Sequence, residues 1–217
     1  MHKRLVMLSV AALGLTAAIQ SAAAQVPLVP KPSFGILGGI NVATLKGNDV
    51  TDASNRTGFA GGVFLTLHVS PTFAIEPEAL YSQQGAKASD GGDVGTVKLD
   101  YIQVPVLLRF DVPTSSTPIH PFFVLGPAAS FQVKCDVAGT LNDEPFSGSC
   151  DDFNDQVEGG FKKKSFDWSA VGGAGVAFSL GATNLSVSAR YNYGFSDTFE
   201  GSDIKNRYFS ILAGLSF

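Results

Sequence analysis

The sequence lacks the patterns of a helical protein. Beyond residue 25, no apolar run reaches the ~20 residues that a membrane-spanning helix needs. No segment keeps the 3.6-residue spacing of an amphipathic helix. Charged residues are scarce, at 16% of the chain, whereas glycine (24 residues) and phenylalanine (17 residues) are abundant. These features exclude a helical fold and predict an all-β protein.

The N-terminal segment has the arrangement of an export signal. Two basic residues, Lys3 and Arg4, precede an apolar run over 5–19 and a small-residue site at 22–24, as in a cleaved secretory signal peptide. The predicted organisation is a signal peptide over 1–24, a short leader over 25–33 and a single domain over 34–217.

The exported chain is acidic and has two cysteines. Without the two basic residues of the signal, 13 basic and 19 acidic residues remain, a net charge of −6, so nucleic acid is not an expected partner. Because disulfides persist in exported proteins, we predict a disulfide between Cys135 and Cys150. It would close an acidic loop. In the following segment, 151–155, a solvated acidic surface is favoured over a divalent cation site, because the spacing of a calcium loop is missing.

Eight alternating segments follow one another along 34–217. Short breaks around Pro71, Pro113 and Gly181 alternate with longer polar breaks. An even number of strands, with short turns at one end and long loops at the other, is typical of an outer-membrane β-barrel. We predict an eight-stranded antiparallel up-and-down transmembrane β-barrel. Its predicted strands are 34–46, 57–69, 72–85, 96–111, 118–134, 164–180, 184–196 and 204–217.

Apolar and small or polar residues alternate within these segments. In 184–196 the odd-numbered residues are apolar or aromatic, and the even-numbered ones are serine, asparagine, glycine or arginine. A soluble barrel would cover its polar face with long charged side chains, and these are too few here. The apolar face is therefore predicted to meet lipid. Its predicted aromatic girdles are Phe217, Phe73, Phe110, Pro121 and Phe123 at the short-turn end and Tyr81, Phe131, Trp168, Tyr193 and Phe195 at the long-loop end.

Several segments carry a family resemblance. FGILGGINVATLKG, LDYIQVPVLLRF, PFFVLGPAASF and GGAGVAF, with the final aromatic residue, resemble porin-family outer-membrane proteins of the Bacteroidetes type, which have a PorT/OmpX-like barrel domain. The resemblance covers 34–217. It implies an eight-stranded barrel in the outer membrane, whose assembly machinery recognises the terminal strand. The most specific signature is Tyr101, Ile102, Val104, Pro105, Leu107 and Arg109, and the predicted assembly signal is Tyr208, Phe209, Ile211, Leu215 and Phe217.

Four charged residues are predicted to point into the barrel. They are Glu76 and Glu78 on the third strand, Arg109 on the fourth and Arg190 on the seventh. Side chains fill the interior of an eight-stranded barrel, whereas a water-filled porin needs ~16–18 strands. We therefore predict an ion-pair network and not a general pore. A catalytic carboxylate pair is disfavoured, because the glutamates have only arginine partners, which stay protonated.

The remaining histidines do not favour an enzyme. Beyond the signal only His68 and His120 are present, both at the short-turn end, so no Ser-His pair is predicted at the outer rim. We predict no enzymatic activity, no metal and no cofactor. The expected role of this monomer is structural or in surface interaction, through its long loops. Expected contacts are outer-membrane lipid and lipopolysaccharide. Lys162–Lys164 would pair either with lipopolysaccharide phosphates or with the acidic loop. The alternatives are a narrow channel for small solutes and a soluble periplasmic binding barrel.

Overall fold

A computed structural model describes residues 30–47, 54–90, 93–114, 117–141, 144–151, 165–197 and 204–217. The predicted signal peptide, most of the leader, Lys162–Lys164 and most of the acidic segment 151–155 lie outside these residues. Within the described part of the chain, no helix is long and apolar enough to cross a membrane. The strands found there are β1 Ser33–Gly47, β2 Ser54–Ser70, β3 Phe73–Asp90, β4 Asp93–Asp111, β5 Ile119–Leu141, β6 Glu144–Ser149, β7 Phe166–Leu180, β8 Thr183–Asp197 and β9 Ile204–Ser216.

Eight of these strands close into a barrel. They pair antiparallel in the order β1, β2, β3, β4, β5, β7, β8, β9, and β9 pairs with β1. The closing register runs from Gly35 opposite Ser216 to Gly47 opposite Ile204. The Phe217 N–H donates to the Phe34 carbonyl at 2.8 Å, which carries the pairing to the last residue. The predicted eight-stranded antiparallel barrel is confirmed.

The strand β6 lies outside the barrel and was not among the predicted strands. The prediction ended the fifth strand at residue 134, but β5 continues to residue 141 and pairs there with β6 on one side and β4 on the other. An antiparallel sheet alternates when only one of its faces must be apolar. A sheet that meets water on both faces has no such requirement, so the sequence of this region resembles a loop. The ends of β3 (86–90), β4 (93–98) and β5 (136–141), together with β6, form a four-stranded extension that we call the raised sheet.

The short turns lie together at one end of the barrel. Pro71 and Thr72 connect β2 to β3, and Gly181 and Ala182 connect β7 to β8. Gly181 has a φ of +76°, a left-handed conformation that glycine adopts without steric cost. The β4–β5 connection returns at the same end, where the Val112 N–H donates to the Pro121 carbonyl at 2.9 Å.

The apolar face of the barrel points outward. Large apolar side chains on this face have exposed fractions of 36–63%, an arrangement that a water-soluble barrel would not tolerate. Aromatic rings meet at both ends of the strands. Phe73 packs against Phe110 at the short-turn end, with ring centroids 5.1 Å apart. Phe166 packs against Phe131 and Trp168 at the long-loop end, at 5.2 Å in each case.

The inner face is more apolar than the sequence predicted. Two buried clusters line opposite walls, and each contains a phenylalanine, Phe64 or Phe122. Glycines on neighbouring strands leave room for these rings, since a Cβ on Gly35 or Gly175 would lie 2.4 Å from a ring carbon of Phe64 or Phe122. One cluster is Leu107, Phe122, Val124, Ala128, Val171 and Ala177, and the other is Leu37, Ala60, Phe64, Leu80 and Leu212.

Candidate functional site

An ion pair crosses the full diameter of the barrel. The strands β3 and β8 are four steps apart in either direction around the ring of eight, so they face each other. Arg190 on β8 donates through Nη1 to both carboxylate oxygens of Glu78 on β3, at 2.8 Å each. Its Nε donates to Ser188 at 3.3 Å. The Arg190 side chain is 8% exposed and that of Glu78 is 0% exposed, so this contact is buried and blocks the centre of the lumen.

A second arginine extends the network towards the short-turn end. Arg109 Nη1 donates to Glu76 Oε2 at 3.2 Å, and Arg109 Nε donates to Asp111 Oδ1 at 3.0 Å. Thr66 donates its hydroxyl to the same Glu76 oxygen at 3.0 Å. The Arg109 guanidinium also lies 3.8 Å from the ring centroid of Phe122, within the range of a cation–π contact.

The structure thus brings the four predicted lumen charges together. The other Glu76 oxygen lies 3.8 Å from Arg190 Nη2, which joins the two halves of the network. Sequence reasoning missed its fifth member, Asp111. The signal was available, because Asp111 stands two residues after Arg109 on the same strand and therefore shares its face.

On the long-loop side of the charges, a neutral polar layer also crosses the barrel. Tyr208 on β9 donates to Gln103 Oε1 on β4 at 2.8 Å, and these two strands are again four steps apart around the ring. Beside them, Ser210 donates to Asn41 Oδ1 at 2.7 Å, and Asn41 Nδ2 donates to Ser82 at 2.9 Å. Each of these side chains is buried, and the layer ties β1, β3, β4 and β9 to one another.

The predicted assembly residues divide between the two faces of β9. Phe209 and Ile211 point outward and are 42% and 47% exposed, and Phe217, at the chain end, is 63% exposed. Leu215 follows the same parity and is half-buried. Tyr208 instead points into the lumen, where it makes the cross-barrel hydrogen bond described above.

A disulfide-containing apolar cluster closes the long-loop end. Cys135 on β5 and Cys150, just after β6, are bonded, with Cα atoms 5.4 Å apart. Both are buried, at 5% and 9% exposed. The cysteines pack with Leu45, Ala86, Leu99, Tyr101 and Ile204 from strands around the barrel. The base of the raised sheet is therefore anchored on the barrel mouth.

The lumen is filled except at the short-turn end. Beside Arg190 lie two voids of about 20 and 10 Å³, which hold no more than a single water molecule each. A much larger cavity of about 540 Å³, here called the vestibule, opens at the short-turn end and is lined by Lys31, His68, Arg109, Asp111 and His120, among others. No solute path through the barrel is visible among the described residues.

The arrangement offers little for catalysis. Both histidines line the vestibule, and His120 Nδ1 lies 2.9 Å from the Thr114 hydroxyl. In the described ranges, no group of three or more His, Cys, Asp or Glu side chains is placed to hold a metal ion. Glu76 and Glu78 are both hydrogen-bonded to arginine, which stays protonated, and Glu76 also accepts from the Thr66 hydroxyl.

The raised sheet carries exposed charge at its base. Lys134 and Asp136 on β5 form an ion pair at 2.5 Å, with side chains 61% and 31% exposed. The hydrogen bond from Lys134 to the Asp136 carboxylate raises the pKa of the lysine. This surface lies just beyond Phe131 of the outer aromatic girdle.

Comparison with known proteins identifies the family. A family model described as "Outer membrane protein beta-barrel domain" matches residues 23–200. Neisserial surface protein A has a similar solved structure, with 14% identity, a TM-score of 0.47 and coverage of 86% of this chain and 98% of that one. The attachment invasion locus protein Ail of Yersinia pestis has 15% identity, a TM-score of 0.46 and coverage of 87% and 100%. OprG of Pseudomonas aeruginosa has 13% identity, a TM-score of 0.48 and coverage of 85% and 95%. No curated protein sequence matches the chain.

Proposed function

The chain belongs to the outer membrane protein beta-barrel domain family, and from this premise we propose that it acts at the cell surface through its raised sheet and long loops. The protein is located in the outer membrane, surrounded by its lipid. In barrels of this kind the short turns face the periplasm and the long loops face outward. The soluble periplasmic barrel is set aside, because its apolar face would have to point inward.

The raised sheet is the observation that supports a surface role. Its strand β5 continues for ten residues beyond Phe131, which corresponds to roughly 30 Å along the strand. Backbone pairing with β4 and β6 and the Cys135–Cys150 disulfide both hold this segment. A rigid surface loses less conformational entropy on binding than a free loop does, so it is better suited to contact a partner.

The sealed lumen argues against the channel alternative. Two cross-barrel contacts, Arg190–Glu78 and Tyr208–Gln103, and the apolar cluster at the mouth stand in the path of any solute. We propose that the charged network stabilises the barrel and has no transport or enzymatic role. In planar bilayers the protein should give no stable conductance steps, and reproducible steps would favour the channel.

The surface role is tested by removing the raised hairpin and keeping the barrel. Replacing 138–147 by a two-residue Asn-Gly turn joins the paired residues Val137 and Gly148, shortens β5 and β6 and leaves both cysteines in place. Cells that display this variant should be retained less on solid surfaces, and should aggregate less, than cells that display the unmodified protein. Heat-dependent gel mobility controls for barrel assembly. Equal retention by equally assembled proteins would remove the surface role and leave a structural one.

The other sequence-based expectations are retained as proposals. We propose that residues 1–24 are cleaved on export, that the Bacteroidetes type describes this chain, and that lipopolysaccharide contacts its outer rim. For assembly we propose that the outward-facing residues of β9, with Phe217, form the recognised signal, and that Tyr208 contributes through closure of the barrel. We further propose that the assembled protein is a monomer, to be checked by light scattering in detergent.

A further inference from the structure

The vestibule is a polar cavity that the surface role does not use. Its volume of about 540 Å³ falls within the range of small-molecule sites. Seven of its lining residues are serine or threonine, and Lys31, Arg109 and Asp111 supply charge. Arg109 closes its inner end, since this side chain also lines one of the small voids beside Arg190. The cavity opens towards the periplasm.

The network behind the vestibule has an excess of negative charge. It contains three carboxylates, of Glu76, Glu78 and Asp111, and two guanidinium groups, of Arg109 and Arg190. With all five ionised, the net charge is −1. Burying uncompensated charge is costly, so a cation beside this end of the barrel is favoured, and Lys31 on the vestibule wall is one such group.

The excess charge coincides with an unused hydrogen-bond acceptor. Asp111 Oδ1 accepts from Arg109, but Asp111 Oδ2 is buried and has no hydrogen-bond partner among the described residues. His68 Nδ1, on the same cavity wall, is likewise buried and without a partner within the described ranges. A carboxylate oxygen is acceptor-only, whereas an imidazole nitrogen donates or accepts. The Asp111 side chain as a whole is 19% exposed, so a small rotation of its carboxylate presents this acceptor to a ligand with N–H groups.

We propose that the vestibule binds small hydroxylated solutes that carry a protonated primary amine. The ammonium group pairs with the Asp111 carboxylate, whose side chain is 19% exposed, and offsets the negative charge of the network. Hydroxyl groups of the solute exchange hydrogen bonds with the serine and threonine wall. This periplasmic site is independent of the surface role, because it lies at the opposite end of the barrel from the raised sheet.

Other cationic groups face the same cavity and compete with the solute. They are Lys31 at its wall, Arg109 at its inner end, and His68 and His120 when they are protonated. Removing the Lys31 charge should therefore strengthen amine binding, whereas removing the Asp111 charge should weaken it. These opposite signs distinguish a cation site from a cavity that accepts any polar solute.

The test is a residue-resolved NMR titration of the mature protein, folded in a non-ionic detergent at pH 7. The probe is ethanolamine, and N-acetylethanolamine, which lacks the charge, is its matched control. The variants are Asp111→Asn and Lys31→Ala. Asp136→Asn serves as a control that removes an ion-paired carboxylate at the opposite end of the barrel.

Ethanolamine should give saturable shifts confined to vestibule residues, and N-acetylethanolamine should give none. Asp111→Asn should weaken the affinity at least about tenfold, Lys31→Ala should strengthen it about twofold or more, and Asp136→Asn should leave it unchanged. Equal shifts with both probes, or an unaltered affinity in folded Asp111→Asn, would overturn the proposal. If Asp111→Asn does not fold, the probe pair and Lys31→Ala decide the matter.

Discussion

Replacing Arg190 by methionine should strongly destabilise the barrel. Methionine has a similar length but no charge, so the change leaves Glu78 buried without its partner and raises the excess negative charge of the network from −1 to −2. At the 2.8 Å separation of Arg190 and Glu78, an effective dielectric of ~20 gives a Coulomb attraction of roughly 6 kcal/mol before desolvation. Removing one partner of such a buried pair costs about 3–5 kcal/mol of unfolding free energy.

A second substitution makes this reasoning specific. Adding Glu78→Gln to Arg190→Met removes the uncompensated charge, and buried pairs replaced together by neutral residues often lose little stability. The double variant should therefore be more stable than Arg190→Met alone. Lys134→Met, which breaks an exposed ion pair, is the matched control and should leave the unfolding midpoint unchanged.

The assay is urea unfolding in lipid vesicles, followed by the heat-dependent gel mobility of the folded barrel. Unfolding free energies are compared for the unmodified protein, Arg190→Met, Lys134→Met and the double variant. The account would be refuted if the unfolding free energy of Arg190→Met lay within about 1 kcal/mol of that of the unmodified protein. A double variant no more stable than the single one would refute it too, and would mean that water replaces the lost partner.

Three further predictions concern packing, the disulfide and assembly. Gly175→Ala places a Cβ 2.4 Å from the Phe122 ring and should cost about 1–3 kcal/mol in the same urea assay, part of which Phe122→Leu should restore. Serine at both Cys135 and Cys150 should cost about 3 kcal/mol for a 15-residue loop, and a smaller loss would mean that packing alone holds the mouth. Phe217→Ser should reduce the barrel assembled in cells and leave stability after refolding in detergent unchanged, because the Phe34 hydrogen bonds are made by the backbone; equal losses in both would contradict a recognition role.

The sequence predicted the strands of the barrel wherever a strand separates two different environments. In β8, lipid on one side and the filled lumen on the other impose a two-residue alternation, and the predicted 184–196 differs by one residue at each end from Thr183–Asp197. In the raised sheet this contrast is absent, so β6 and the end of β5 escaped the sequence pattern. The pairing there depends on the backbone and on the disulfide, neither of which produces a hydrophobic period.

The sequence predicted which face of its strand each charged residue occupies, but not which of these residues lie at the same height along the barrel axis. Parity placed Glu76, Glu78, Arg109 and Arg190 inside, yet only the register of the closed barrel determines which of them meet. The apolar filling around Phe64 and Phe122 was missed for a related reason. An eight-stranded lumen must be packed like a core, and a phenylalanine on the inner face breaks the alternation that identifies a lipid-facing strand.

The Tyr208–Gln103 hydrogen bond also bears on the order of folding. In a flat, unclosed sheet, the four strand spacings from β4 through β5, β7 and β8 to β9 would separate these side chains by roughly 19 Å, beyond their combined reach. The contact therefore forms only as the sheet curls and its first and last strands meet. A spectroscopic label that reports on Tyr208 would time this closing step within membrane insertion, separately from the pairing of neighbouring strands.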